Sequence, residues 1–502
     1  MTDIVDPLSV ASPRRDHVIP GLFALAIFTS ACLVFVVQPM VTKLILPTLG
    51  GSPSVWNASM VFFQTALLAG YGYAHVLQRV RTVKAQALIH LAMLLCAGLF
   101  LPLRISGLFG DPNPSSPAWW MLGTLAVSVG APFAVLSATA PLLQAWYAKF
   151  RAADEGGANP YVLYAASNLG SFLALLAYPI LIEPLASLSA QRWSWSGGYA
   201  FFALMIASLG LIILKRGEVS GQVAQALPIS PRISWREKGF LVLLAAAPSS
   251  LMLGVTAHLS TDVASAPFLW VIPLALYLLT FVIAFSARPA IPLHITLMIQ
   301  AALLAACAAL VAFRTGEWLL MFVVHLAAFF FTALMCHQRM AERRPAPDRL
   351  TEFYLLLSLG GVVGGVFNAL AAPLIFNVVW EYPLVLIAVG LLRPWNPREL
   401  RPLEIWLFVA GVVVALSGPL GLALVRYAPT IRAAIPDPEL VRIAQGVLGV
   451  AAALAFLLRG RPVLFTLVIG AMIWSGHHVA RGYDWLLTER SFFGVMRVAN
   501  TN

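Results

Sequence analysis

Apolar runs of about 20 residues recur along this chain from residue 20 to residue 478, each long enough to cross the hydrocarbon core of a bilayer. Lipid offers no partner for backbone N–H and C=O groups, so such runs can be satisfied only as helices or as the strands of a closed barrel. A barrel requires short segments of alternating polarity, and the sequence carries long continuous ones instead. Its 60% hydrophobic and 11% charged residues, against roughly a quarter charged in soluble domains, point the same way. The chain reads as an all-α polytopic membrane protein in a lipid bilayer.

The runs order themselves. Spans at 20–47, 54–77, 84–103, 117–148, 160–183 and 197–214 fall in a first half (20–214), after a tail at 1–19. A polar linker (215–238) precedes a second half (239–395), with spans at 239–262, 266–286, 290–312, 318–336, 350–376 and 378–393. Further apolar stretches near 403–425, 440–458 and 462–478 (within 396–480) bring the total to fourteen or fifteen, which leaves the side of the C-terminus open. Residues 481–502 form a second tail.

The net charge of +11 invites a nucleic-acid reading, but its placement argues against one. The N-tail and the alternate loops on its side hold 20 Lys/Arg, whereas the opposite loops hold three, Arg104, Arg192 and Arg314. That asymmetry follows the positive-inside rule and predicts a cytoplasmic N-terminus. The start, "MTDIVDPLSVASPRRDHVIP", has no small-residue cleavage site after a short apolar core and is expected to be a cytoplasmic tail. Cys32, Cys96, Cys307 and Cys336 show no paired spacing and read as packing residues.

The halves echo one another. "PSVW" (53–56) opens the second span and "PFLW" (267–270) the eighth; "TAPLLQ", ending at Gln144, parallels "TALMCH", ending at His337; and "YVLYAASNLGS" from Tyr161 parallels "YLLLSLGGVVG" from Tyr354. Two six-span repeats related along the membrane normal are the layout of the major facilitator fold.

Polar residues within apolar spans are costly and therefore functional suspects. "QPMVTKLILP" (38–47) sets Gln38, Pro39 and Lys43 in the first span. Lys43 is either an ion-pair or anion-binding group facing a central cavity, or a lysine snorkelling to the interface. Gln38 and Pro39 fit a kinked helix. Glu183, Asp262 and Glu381 lie at the far ends of their spans; with Lys43 they sum to minus two, which would suit a small cationic ligand. Singly, each is better explained as a helix cap or as a loop residue facing water. His258 sits one turn before Asp262, so the two could relay a proton or form a structural hydrogen bond. Tyr164, Ser167, Asn168 and Ser171 share a face of the fifth span, and Gly360, Gly361, Gly364 and Gly365 recur at four-residue spacing in the eleventh. Both patterns signal close helix packing, with Asn168 and Asn368 the residues expected to reach a cavity. His337 reads as interfacial. His477 and His478 are adjacent on a helix, about 100° apart, and make a poor metal or haem site. No nucleophile–base pair, phosphate loop or metal spacing stands out, so no cofactor, metal or catalytic residue is assigned.

"QPMVTKLILPTLGGSPSVWNASMVFFQTALLAGYGYAH" (38–75), "SATAPLLQAW" (137–146), "NPYVLYAASNLGSFLALLAYP" (159–179), "PSSLMLGVTAHLSTDVASAPFLWVIPLALYLLTF" (248–281) and "EYP" (381–383) resemble the membrane region of bacterial fused major-facilitator/spermidine-synthase-like proteins. In that family a soluble synthase-like domain follows, and "TERSFFGVMRVANTN" (488–502) resembles its first strand. The Gly-rich loop and acidic residues of a synthase are absent, so the resemblance implies the membrane fold and a link to polyamines, not the enzymatic activity. Two functions remain open: a transporter for a small, cationic metabolite such as a polyamine, or a non-transporting membrane anchor or regulator of a separate synthase-like partner. The loop between the second and third spans, "HVLQRVRTVKAQ", lacks the Gly and Asp of the usual transporter signature, which weighs against the first.

Overall fold

The computed structural model describes residues 18–151, 161–215, 231–262, 267–286, 288–311, 318–346, 349–427, 437–479 and 485–499. The first half comprises α1 (Val18–Leu49), α2 (Pro53–Leu77), α3 (Val83–Ala97), α4 (Pro117–Leu125, running through a wide turn at Ala126–Gly130 into Ala131–Arg151), α5 (Tyr161–Ala177, with a similar turn at Tyr178–Ile182) and α6 (Leu188–Lys215). The second comprises α7 (Trp235–Asp262), α8 (Pro267–Ala284), α9 (Leu293–Leu310), α10 (Trp318–Ala341), α11 (Leu350–Val366, extended by Phe367–Ala371) and α12 (Glu381–Ala388). Then follow α13 (Pro402–Tyr427), α14 (Asp437–Leu457), α15 (Pro462–Val479) and an antiparallel hairpin of β1 (Trp485–Ser491) and β2 (Gly494–Ala499). Among the described residues, ten helices are long and apolar enough to cross a membrane, and α8, α12, α13 and α14 add shorter apolar stretches. The chain is an all-α, multi-pass membrane protein of two six-helix halves with additional C-terminal helices.

The repeat is visible in the packing. Within each half the first helix lies against the fifth (α1 on α5, α7 on α11), the second against the fourth, and the third against the sixth. The halves meet where α2 packs on α11 and α5 on α8. Glycines set the closest approaches. A Cβ on Gly364 would fall on the Ala246 carbonyl oxygen of α7, and one on Gly360 would lie 2.5 Å from both the Ala245 Cβ and the Val242 oxygen. A Cβ on Gly170 of α5 would lie 2.7 Å from the Phe28 oxygen of α1. In lipid, where no hydrophobic drive separates helix from solvent, such small residues let backbones close up. Gly361, in contrast, faces open space.

Two sides can be distinguished. On the entry side, where α1 begins, Lys238 pairs with Glu352 at 2.7 Å and Arg343 with Glu237 at 3.3 Å. The Arg393 Nε, just past α12, donates to the Arg459 carbonyl between α14 and α15 at 3.2 Å on the same side. On the far side the Trp380 and His477 rings approach to 4.6 Å, and Arg490 of β1 grips Glu381. The hairpin therefore lies beside the start of α12, on the side opposite the start of α1.

Candidate functional site

A cavity of about 200 Å³ lies between the halves, lined from α1, α2, α4, α5, α7, α8 and α11. It spans the middle of the bundle and its entry-side half. The sequence places polar groups there one at a time: Gln38 on α1, Gln64 and Tyr71 on α2, Gln144 on α4, Ser167, Asn168 and Ser171 on α5, Tyr277 on α8, Tyr354 and Ser358 on α11. Phe63, Phe133 and Phe281 form its apolar walls. Among the described residues, no Asp, Glu, Lys, Arg or His lines it. Its groups can donate and accept hydrogen bonds but cannot balance a formal charge.

Contacts between the halves lie toward both ends of the cavity. On the far side the Trp56 and Trp270 rings, the paired tryptophans of "PSVW" and "PFLW", lie 5.7 Å apart, and the Asn57 amide donates to the Leu253 carbonyl at 3.4 Å. On the entry side the Tyr354 hydroxyl donates to Gln144 Oε1 at 2.8 Å, and His75 Nδ1 lies 3.0 Å from the Thr351 hydroxyl. Between them, Gln64 donates through Nε2 to the Ser249 hydroxyl at 3.0 Å, which in turn donates to the Gly361 carbonyl at 2.9 Å. The Gln64 Oε1 and Ser358 Oγ atoms are buried without a protein partner. A buried polar atom left unpaired costs about 1–3 kcal/mol, so the Ser358 hydroxyl on the cavity wall is poised to gain from a ligand, whereas Gln64 Oε1 packs against Gly365.

The residues anticipated from sequence are distributed unevenly about this site. Gln38 and Asn168 line it. Helix α1 runs unbroken through Pro39, with Gln38 Nε2 donating to the Val34 carbonyl at 3.2 Å and the Thr42 hydroxyl to the Gln38 carbonyl at 2.9 Å. Lys43 neither snorkels freely nor reaches the cavity: its Nζ lies 2.5 Å from Glu183 Oε1, in a cleft beside Trp56, Tyr178 and Trp270. Asn368 is buried away from the cavity, donating to the Ser250 carbonyl at 3.0 Å. Glu381 is 2% exposed and bidentate to Arg490, at 2.7 and 3.0 Å. Two of the three far-side carboxylates thus already have cations, so of the negative charge expected there only that of Asp262 stays unmatched by these pairs. Asp262 ends α7, and its side chain lies outside the described residues.

His258 packs its ring 4.6 Å from that of His325 and 5.2 Å from that of Tyr382. His325 Nδ1 lies 2.7 Å from the Tyr382 hydroxyl and 3.3 Å from Cys307 Sγ, forming a buried polar cluster inside the second half. His337 is not interfacial but fully buried, stacked on Phe281 at 3.7 Å with Nδ1 2.8 Å from the Thr280 hydroxyl. The sequence reading missed Gln64, Tyr354, Ser358 and His325. Gln64 and His325 stand alone inside long apolar runs, as Gln38 does, and the same cost argument would have found them. Tyr354 and Ser358 carried no such signal, since hydroxyls are common glue between membrane helices.

The Lys43–Glu183 pair is about a quarter exposed on each side. Replacing Lys43 by Ala should cost about 1 kcal/mol by stranding the carboxylate, and the double change with Glu183→Gln should restore most of it. Melting temperatures of the three variants form the cycle that checks this.

No protein-family model matches the chain, and no curated protein matches it in sequence. Among solved structures, a proton:xylose symporter of the major facilitator superfamily, bound to 6-bromo-6-deoxy-D-glucose, is 10% identical over 74% of this chain and 94% of its own, with a TM-score of 0.46. A D-xylose-proton symporter is 12% identical over 76% of this chain and 97% of its own, also with a TM-score of 0.46.

Proposed function

We propose that the protein is a transporter of a small, uncharged, hydrogen-bonding solute, which it carries by alternating access between its two halves. The observation that carries this reading is the uncharged polar cavity at their junction, bounded at each end by contacts that cross from one half to the other. A volume of about 200 Å³ lies below the roughly 300–1,000 Å³ of drug-sized sites, so the solute is of small-metabolite size. A polyamine would bring two or more ammonium groups into a space with amides and hydroxyls but no carboxylate, and desolvating such charges without partners is costly. The resemblance to bacterial membrane proteins suits a bacterial inner membrane, and the positive-inside argument makes the entry side cytoplasmic.

The test is uptake into proteoliposomes of a panel of radiolabelled solutes, polyols and neutral amides beside spermidine and putrescine. A hydroxylated or amide solute is expected to be taken up, and Gln64→Leu to lower that uptake at least tenfold, since one lost hydrogen bond with a stranded partner is worth about 1.4 kcal/mol or more. Uptake of spermidine with exclusion of neutral solutes would overturn the proposal.

A second reading rests on the hairpin. Its strands keep both outer edges unpaired among the described residues, and open edges invite further strands. In this reading the membrane part anchors a synthase-like β-domain on the far side. Copurification of such a partner, lost on deleting residues 485–499, would favour it.

A further inference from the structure

Where α9, α12 and the α14–α15 turn meet on the entry side, a second cavity of about 520 Å³ is lined by His294, Leu297, Met298, Arg393, Trp395 and Arg459, with Pro394, Asn396, Pro397 and Gly460. It shares no residue with the central cavity. Arg393 is only 4% exposed. Its Nε donates to the Arg459 carbonyl and its Nη1 to the Leu297 carbonyl at 3.0 Å and to Gln300 Oε1, and the guanidinium lies over the Phe465 ring at 5.5 Å. Arg459 is braced by the Phe456 carbonyl at 3.2 Å and the Phe456 ring at 4.5 Å. Among the described residues neither arginine meets a carboxylate.

The neighbouring Arg461 shows what these two lack. It pairs with Glu404 at 2.8 and 3.0 Å and donates to the Arg398 and Glu399 carbonyls. The Glu404 carboxylate is thereby committed, and Arg393 and Arg459 face one cavity with no ion-pair partner among the described residues. A buried guanidinium held only by neutral acceptors is an unbalanced charge, and planar guanidinium groups match a phosphate bidentately. The rim is equally informative. Trp395 is 65% and Met298 50% exposed; exposed apolar side chains on a membrane helix meet lipid, and Trp anchors at the headgroup level. Basic pockets between transmembrane helices on the cytoplasmic side suit anionic headgroups.

We propose that this cavity binds a phosphate group, presented by an anionic phospholipid of the entry-side leaflet and held by Arg393 and Arg459. The acyl chains of that lipid would run along α9 past Met298.

The experiment is thermal unfolding of the full chain, purified in neutral detergent, titrated with phosphatidylglycerol, with phosphatidylcholine and with inorganic phosphate. Phosphatidylglycerol is expected to raise the melting temperature saturably and phosphatidylcholine to leave it unchanged. Arg459→Gln should weaken half-saturation at least about tenfold, and His294→Gln, on the exposed rim, should weaken it less while leaving the unliganded protein intact. An equal Arg459-dependent shift with inorganic phosphate would keep the site and assign it to a soluble anion. A phosphatidylglycerol shift that is absent, or that persists undiminished in both variants, would overturn the site.

Discussion

Replacing Arg490 by Ala is expected to lower stability by about 3 kcal/mol, because stripping one partner from a buried ion pair leaves the other charge uncompensated. Arg490 holds both oxygens of Glu381, and its Nη1 also donates to the Val378 carbonyl at 3.1 Å. Glu381 opens α12 at 2% exposure, so its carboxylate cannot turn to water without moving the helix start. Adjacent Tyr382 reaches His325 and packs beside Gly254, so the disturbance should spread into the buried cluster. Glu381→Gln combined with Arg490→Gln removes both charges and should recover much of the loss. Unfolding of the three variants, followed by scanning calorimetry or by intrinsic fluorescence, measures it. If Arg490→Ala unfolds like the parent, the hairpin is a loose appendage and the anchor reading loses its attachment point.

Gly364→Val is expected to be more damaging still, at about 3 kcal/mol or above, since overpacking costs 1–3 kcal/mol even where side chains can yield. Here the new atoms meet the Ala246 carbonyl and the Ser250 nitrogen, backbone on both counts. Helices α7 and α11 would have to separate, and with them the entry-side contacts of Tyr354 and Thr351. Gly361→Ala, three residues away, meets open space and should fold normally while narrowing the central cavity. Expression and monodispersity on size exclusion distinguish the pair: loss of Gly364→Val with retention of Gly361→Ala is the predicted pattern.

These glycines show how legible the chain was. Four-residue spacing of Gly360, Gly361, Gly364 and Gly365 announced a packing face, but periodicity alone gives the four equal standing. In space Gly360 and Gly364 meet α7, Gly365 faces Gln64 of α2, and Gly361 opens to the cavity. The helical class, the order of the spans and the two-half repeat were readable because lipid imposes length and hydropathy on every pass. The paired "PSVW" and "PFLW" even named the tryptophans that meet across the halves. The site was less legible. Lys43, Glu183 and Glu381 drew attention as intramembrane charges, and charge is what a membrane protein neutralises locally. Each had a partner that sequence separation hid, 140 residues away for Lys43 and 109 for Glu381. The cavity is instead built from Gln, Ser and Tyr residues, which in apolar helices look alike whether they glue helices or face a solute.

In a transporter of this kind the uncharged cavity faces each side of the membrane in turn. Ser358, on its wall with an unpartnered hydroxyl, is the position to report on it. In sealed vesicles, with Cys32, Cys96, Cys307 and Cys336 replaced by Ala, Ser358→Cys would be challenged with a membrane-impermeant maleimide from one side and then the other. Labelling is expected from both sides, in proportions that a transported solute shifts. Labelling from a single side under every solute condition would contradict it and leave the protein a membrane anchor with a closed vestibule.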